Sequence, residues 1–225
     1  SHLYQLWMDL DPVELTSQQE EIAYPVRSAR TFLTGPAGCG KTTVGAERLY
    51  RMLLGGIPAD QILVLTPQRS LAGAYHEVLA RVDIPPGGSV DILTMNGLAQ
   101  RMINLFWAMV APNAGFASVS TAPNYLTIET AQFYMARIVE EKRSREGYFA
   151  AVKMDPHRLY SQLLDNLNKS ALVGFPYAEI GERLKSAWSG PTSQLRVYDQ
   201  AQDCINLFRA FCLENRLLDY SLQME

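Results

Sequence analysis

Eight consecutive residues, Gly35-Pro36-Ala37-Gly38-Cys39-Gly40-Lys41-Thr42, follow the spacing G-x-x-x-x-G-K-S/T. Glycines in such a turn let successive backbone N–H groups face inward around a phosphate. A lysine directly after the last glycine reaches the β- and γ-phosphates, and the Thr42 hydroxyl is suited to ligate Mg²⁺. The expected binding set for ATP-Mg²⁺ is Gly35, Pro36, Ala37, Gly38, Cys39, Gly40, Lys41, Thr42 and Thr43. Lys41 and Thr42 are the two expected to act on the reacting phosphate and its metal.

Such a loop works only if its neighbours aim it. Arg30-Thr31-Phe32-Leu33-Thr34 is an apolar run of strand type, and residues 43–54 predict a helix closed by Gly55-Gly56. Strand, glycine turn and helix together point a helix N-terminus at an anion. The alternation continues downstream. Gln61-Ile62-Leu63-Val64-Leu65-Thr66 reads as a buried parallel strand ended by Pro67. Leu71, Ala74, Tyr75, Val78, Leu79 and Val82 recur at helical spacing, and Ile84-Pro85-Pro86-Gly87-Gly88 reads as a loop. Ser89-Val90-Asp91-Ile92-Leu93-Thr94 predicts a third strand, followed by a helix over residues 98–110. Strands alternating with helices imply right-handed βαβ units and a parallel sheet.

The texture changes past Pro112. Residues 113–124 are small, polar and punctuated, as a connection would be. From Thr127 the pattern is almost wholly helical, with stripes through Ile128, Ala131, Met135, Ile138 and Val139, then over residues 159–172, 177–188 and 197–213. The expected fold class is α/β: a P-loop NTPase parallel sheet flanked by helices, with an all-helical insertion subdomain. Its expected parts are a nucleotide-binding core over residues 1–112, the helical subdomain over 113–218, and a return to the core over 219–225.

Bulk properties narrow the classes. The chain has 225 residues, 48 % of them hydrophobic and 19 % charged, which is ordinary for a globular protein with one large core or two modest ones. No apolar run approaches the roughly 20 residues of a membrane span, so no membrane partner is expected. Residues 1–5 lack a basic start with an apolar core, and three widely spaced cysteines form neither a disulfide framework nor a zinc site. A cytoplasmic setting is the expectation. The net charge of −3 gives no electrostatic sign of a nucleic-acid partner, and neither half of the chain is basic.

Three further stretches choose among nucleotide machines. A guanine-reading N-K-x-D pattern fails, because Asn168-Lys169 is followed by Ser170-Ala171. Leu15-Thr16-Ser17-Gln18-Gln19-Glu20-Glu21-Ile22-Ala23, Thr66-Pro67-Gln68-Arg69-Ser70-Leu71-Ala72 and Thr94-Met95-Asn96-Gly97-Leu98-Ala99-Gln100-Arg101-Met102 follow one another around the glycine loop. In that order and spacing the chain resembles superfamily 1 DNA helicases of the UvrD/Rep type. The first stretch is similar to their L-N/T-x-x-Q-x-x-A/I opening, the second occupies the place of T-x-T-N-K-A-A, and the third is close to T-F-H-x-L-A-x-R.

The helical half is more loosely similar, at Tyr125-Leu126-Thr127-Ile128-Glu129, Leu164-Asp165-Asn166-Leu167-Asn168-Lys169 and Leu217-Leu218-Asp219-Tyr220. The resemblance implies that Gln19 reads adenine, that Thr66, Arg69, Thr94 and Asn96 contact single-stranded DNA, and that a second core domain supplies an arginine finger. It also implies that ATP hydrolysis drives movement along the strand. An apolar strand ending Asp-Asp/Glu is not found before Glu225, so the expectation is an N-terminal portion of a longer helicase, binding nucleotide weakly and not unwinding DNA by itself.

Departures bear on the strand contacts: the family's aromatic and histidine are Met95 and Asn96 here, and its aromatic and lysine in the earlier segment become Pro67 and Ser70 or Arg69. Two alternatives stay open, a P-loop ATPase of another type (AAA+ or signalling) and a degenerate helicase relative serving as a nucleotide-binding scaffold. Oligomeric state is not legible. Among the remaining side chains, Cys39 fits as a small residue in a tight loop, and Cys204 and Cys212 as core residues. His76 and His157 read as surface residues, Trp7, Trp107 and Trp188 as packing anchors, and residues 140–146 as a solvated helix end with alternating charges.

Overall fold

The computed structural model describes residues 14–24, 30–83 and 88–225. The chain is a mixture of helix and sheet, mostly helical (65 %), with two short parallel two-stranded sheets. It divides into two compact units between Met95 and Asn96. The sequence expectations for Trp7 and for residues 84–87 lie outside the described residues.

In the first unit, α1 (Ser17–Ala23) starts on a capping box: the Thr16 hydroxyl accepts from the Gln19 backbone N–H while the Gln19 side-chain amide oxygen accepts from the Thr16 N–H. Helix α2 (Lys41–Leu54) follows the glycine loop. Strand β1 (Leu63–Thr66), helix α3 (Gly73–Arg81) and strand β2 (Asp91–Thr94) complete the unit. The strands pair in parallel with Leu63 opposite Asp91 and Thr66 opposite Thr94. Ala46, Leu49, Ala59, Ile62, Val78 and Val90 form the buried core.

Two expectations differ here. Arg30–Thr34 joins no strand ladder among the described residues, and Phe32 is 90 % exposed. A strand exists only through hydrogen bonds to a neighbour, and β1 and β2 bond to each other. The run predicted as a fully buried strand also has an open face, with Leu63 and Leu65 exposed and Thr66 buried.

The second unit is a helical assembly. Helix α4 (Met95–Ala114) carries Pro112 in its last turn and leaves helical geometry at Phe106, so the helix predicted to stop at Val110 runs on through a kink. Ile103 and Ala111, with Trp107 beside them, join the core of this unit, which is why compactness divides the chain at Met95 while the sequence texture changes at Pro112. Strand β3 (Asn124–Tyr125) pairs in parallel with β4 (Leu217–Leu218), a small sheet inside the region expected to be wholly helical.

Between these strands lie α5 (Ile128–Glu146), α6 (Pro156–Val173), α7 (Ile180–Ser186) and α8 (Arg196–Glu214); α9 (Tyr220–Met224) follows β4. Caps set the boundaries. Thr127, Asp155 with Pro156 at the first helical position, and Asp219 each accept a first-turn N–H, and Gly147 and Gly174 end α5 and α6 in the left-handed conformation. Helical spacing brings Met135 and Val139 of α5, Leu163 and Leu167 of α6, and Cys204, Ile205 and Phe208 of α8 into one core at 2 % exposure or less.

Arg209 is buried within this unit. Its guanidinium donates to the Glu225 carboxylate at 2.7 and 3.0 Å and to the Ser221 hydroxyl at 3.0 Å, and it lies 4.6 Å over the Tyr177 ring. The pairing offsets the cost of desolvating the charge. The charged end of α5 is laced by Lys142–Glu146, Arg143–Glu140 and Arg145–Glu141 pairs one helical turn apart, as its sequence suggested.

Two outcomes follow from this packing. Leu167→Ala removes a side chain with no exposed surface and is expected to lower stability by about 2–5 kcal/mol, whereas Leu172→Ala at an exposed site should stay within about 0.5 kcal/mol; urea unfolding distinguishes them. Tyr160 is buried and donates to Glu140 at 2.6 Å; burial first, then this carboxylate, pushes its phenol up to about 12, while the bond holds Glu140 below the usual range. Because the folded phenol holds its proton more tightly, its contribution is complete below about pH 10 and is lost as pH rises toward 12. Tyr160→Phe should flatten that alkaline decline when stability is followed across pH 10.

Candidate functional site

The glycine loop is exposed, and it runs straight into α2. Gly40 sits at φ 84° as the residue before the helix, a left-handed conformation that a β-carbon disfavours. A β-carbon there would also lie 2.8 Å from the Gln19 amide nitrogen. Having no side chain, Gly40 cannot cap the helix. The first amide of the ladder is that of Val44, donating to the Gly40 carbonyl at 2.9 Å. The amides of Lys41, Thr42 and Thr43 precede it at the positive end of a 14-residue helix, the arrangement that favours an anion.

The Lys41 amine folds back over the loop. It donates to the carbonyl oxygens of Gly35 at 2.8 Å and Pro36 at 2.6 Å, and approaches Cys39 Sγ at 3.6 Å. Its charge is thus held against the loop by bonds to two of the loop's own carbonyls. Thr42 is exposed, and Thr43 is half-buried. Gln19 reaches the same loop: its amide nitrogen donates to the Cys39 carbonyl at 3.2 Å while its oxygen serves the α1 cap. One side chain therefore ties the start of α1 to the loop.

Side chains not singled out by the motif hold this arrangement. Arg48 donates to the carbonyls of Ile22 at 2.8 Å and Tyr24 at 3.0 Å, clamping the end of α1 to α2. Arg51 pairs with Glu47 and Glu20 and lies over the Tyr24 ring. Tyr75 of α3 approaches Gly45 so closely that a β-carbon there would meet its hydroxyl at 2.7 Å. Arg48 and Arg51 lie about two and three helical turns past the loop. The Ile22 and Tyr24 carbonyls and the Glu20 carboxylate are distant in sequence and left no local signal, whereas Glu47 lies one turn before Arg51.

The residues expected to meet a nucleic-acid strand fall into two groups. Thr66 and Thr94 are directly paired at the same end of the β1–β2 sheet. Thr66 is only 4 % exposed and its hydroxyl has no hydrogen-bond partner, while Thr94 is half-buried. Arg69 is exposed in the short 3-10 turn Arg69–Ala72 that follows. Asn96 belongs to the second unit, where its Oδ1 is buried without a partner.

Among the described residues, no group of three or more His, Cys, Asp and Glu side chains is placed to hold a metal ion. Thr42, exposed beside the loop, is the residue suited to ligate one there. No helix among the described residues is long and apolar enough to cross a membrane. Comparison with models of protein families finds no match, and comparison with curated proteins finds none either.

The three cysteines are free and differ sharply in access. Cys39 is exposed in the loop; Cys204 and Cys212 are fully buried, and burial pushes both thiols up to about 12. Iodoacetamide should therefore alkylate Cys39 in the native protein and the other two only in denaturant, read by mass spectrometry of the digested chain.

Proposed function

We propose that this chain is a nucleotide-binding part of an ATP-driven helicase of the UvrD/Rep type, built on a P-loop NTPase core. The observation that carries the reading is the open glycine turn at the foot of α2, with uncapped amides and a lysine held over it. In this proposal the loop amides and Lys41 hold the triphosphate, Thr42 holds Mg²⁺, and Gln19 leaves Cys39 to read the adenine edge. Bound Mg²⁺-ATP supplies phosphoryl transfer to water, which also needs an acidic metal ligand and an arginine finger. Binding is accordingly the activity to measure on this chain.

Support for a strand path comes from Thr66 and Thr94, the ends of two motif segments, standing side by side at one end of one sheet. Arg69 follows in an exposed turn and is the proposed phosphate contact. We place the protein in the cytoplasm, in keeping with three free thiols.

Loss of the lysine removes a charge-assisted contact worth roughly tenfold to a hundredfold in affinity. Lys41→Ala should weaken binding of a fluorescent ATP analogue by that factor, and Thr42→Ala should blunt the Mg²⁺ dependence. A Lys41→Ala variant with full ATP affinity would falsify the site assignment.

A further inference from the structure

Helix α1 is seven residues long, and Ala23 is its buried residue. So short a helix is marginal by itself, and one small buried side chain fixes neither its height nor its rotation against α2. Polar ties do that. At its start, the Gln19 amide donates to the Cys39 carbonyl of the glycine loop at 3.2 Å. At its end, Nη1 of the half-buried Arg48 donates to the carbonyls of Ile22 at 2.8 Å and Tyr24 at 3.0 Å. Carbonyls at a helix end are the ones its own ladder leaves free.

The two arginines of α2 do not hold α1 equally. Arg51 stands 3.6 Å from the Glu20 carboxylate and 4.6 Å over the Tyr24 ring, but its shortest pairing is with Glu47 of its own helix at 2.8 Å. Glu20 and Tyr24 are exposed, so water weakens both of those contacts. Arg48 instead makes charge-assisted bonds to two backbone carbonyls, which have no rotamer by which to leave. Its grip is on the helix itself.

That grip matters because of what Gln19 must do. Both ends of its amide are engaged here, the oxygen with the Thr16 N–H and the nitrogen with Cys39. In the function proposed above, Gln19 leaves Cys39 to read the base. Reading adenine takes both ends at once: the oxygen accepts from the exocyclic amine while the nitrogen donates to N7. Guanine presents two acceptors on that edge, O6 and N7, and one amide oxygen can face neither. Selection therefore depends on where α1 holds Gln19. As Gln19 leaves Cys39, the tie at the loop end is broken and the bonds from Arg48 remain.

We propose that Arg48 is a positioning residue for base selection, keeping α1 in place along α2 while Gln19 exchanges the Cys39 carbonyl for the base. Arg48 lies about two turns, or roughly 12 Å of helix rise, past the loop, too far along α2 to meet a phosphate held there. The inference rests on the nucleotide site proposed above. It separates two affinities. Phosphate contacts come from the loop amides and Lys41, whereas base contacts pass through α1.

The test titrates the whole chain with N-methylanthraniloyl-ATP and -GTP by fluorescence, and with inorganic tripolyphosphate by calorimetry. The wild type should prefer ATP to GTP by about fivefold to a hundredfold, the range that one two-point base contact supplies. Arg48→Met keeps the aliphatic stem and should cut that preference at least about fivefold, with tripolyphosphate affinity held within about twofold. Arg48→Lys should keep more of the preference, since an ammonium still donates to carbonyls. In a Gln19→Ala background the preference is absent, and Arg48→Met should change the ATP-to-GTP ratio no further. Thermal unfolding checks each variant. Should Arg48→Met not fold, Arg48→Lys carries the comparison, with an intermediate loss of preference expected.

An unchanged ATP-to-GTP ratio in folded Arg48 variants overturns the proposal. So does an equal loss of ATP, GTP and tripolyphosphate binding, or a further change of the ratio in the Gln19→Ala background. A wild type that binds tripolyphosphate and both nucleotides without preference sinks the inference and leaves the phosphate site standing. A wild type that binds none of the three sinks the nucleotide-site reading as well.

Discussion

The first turn of an α-helix has amides that its own backbone cannot satisfy, and how a chain answers them shapes what the helix can do. Helices α5, α6 and α9 answer with side chains: Thr127, Asp155 and Asp219 each accept a first-turn amide. Helix α2 does not. Gly40 precedes it, offers no cap, and adopts a conformation that keeps a side chain out of the space ahead of the helix. Lys41 bends onto the carbonyls of Gly35 and Pro36, Gln19 ties the Cys39 carbonyl to α1, and the surface in front of the amides stays open.

Side chains from neighbouring elements brace the helix that follows the exposed loop. Arg48 spans from α2 to the last carbonyls of α1, and Tyr75 closes against Gly45 on another side. Small residues on α2 therefore have two different reasons to be small: Gly40 for backbone conformation, Gly45 for close approach of an aromatic side chain. The helical unit is built by other means. It buries apolar stripes of α5, α6 and α8 against one another, and joins α8 to α9 through the buried Arg209 and its bonds to Ser221 and Glu225. A cavity of about 330 Å³ lies where the starts of α4, α5 and α9 meet the side of α6; beside it Thr127, Asp219 and Gln223 are bonded internally, while Asn96 Oδ1 has no partner.

Local chemistry was legible in the residues themselves. The glycine spacing, the helix after it, the buried cysteines of α8 and the alternating charges at the end of α5 all depend on neighbours within a few positions. Pairing was not so legible. Residues 30–34 have the composition of a strand, yet composition does not supply a hydrogen-bonding neighbour, and among the described residues the run joins no ladder and Phe32 is exposed. The β3–β4 pair escaped notice for the opposite reason, since two residues per strand leave no periodicity to read.

The amino-acid order alone determined the phosphate-loop spacing, the positions of the helix caps and the apolar stripes, because each is a property of residues one or two turns apart. Only the tertiary structure decided that Arg48 would clamp α1, that Thr66 and Thr94 would stand in register, and that Asn96, Asn168 and Tyr220 would line one cavity. Those relations join residues far apart in sequence. They are settled by which faces can be buried together and which polar groups find partners, and no short stretch of chain carries that information.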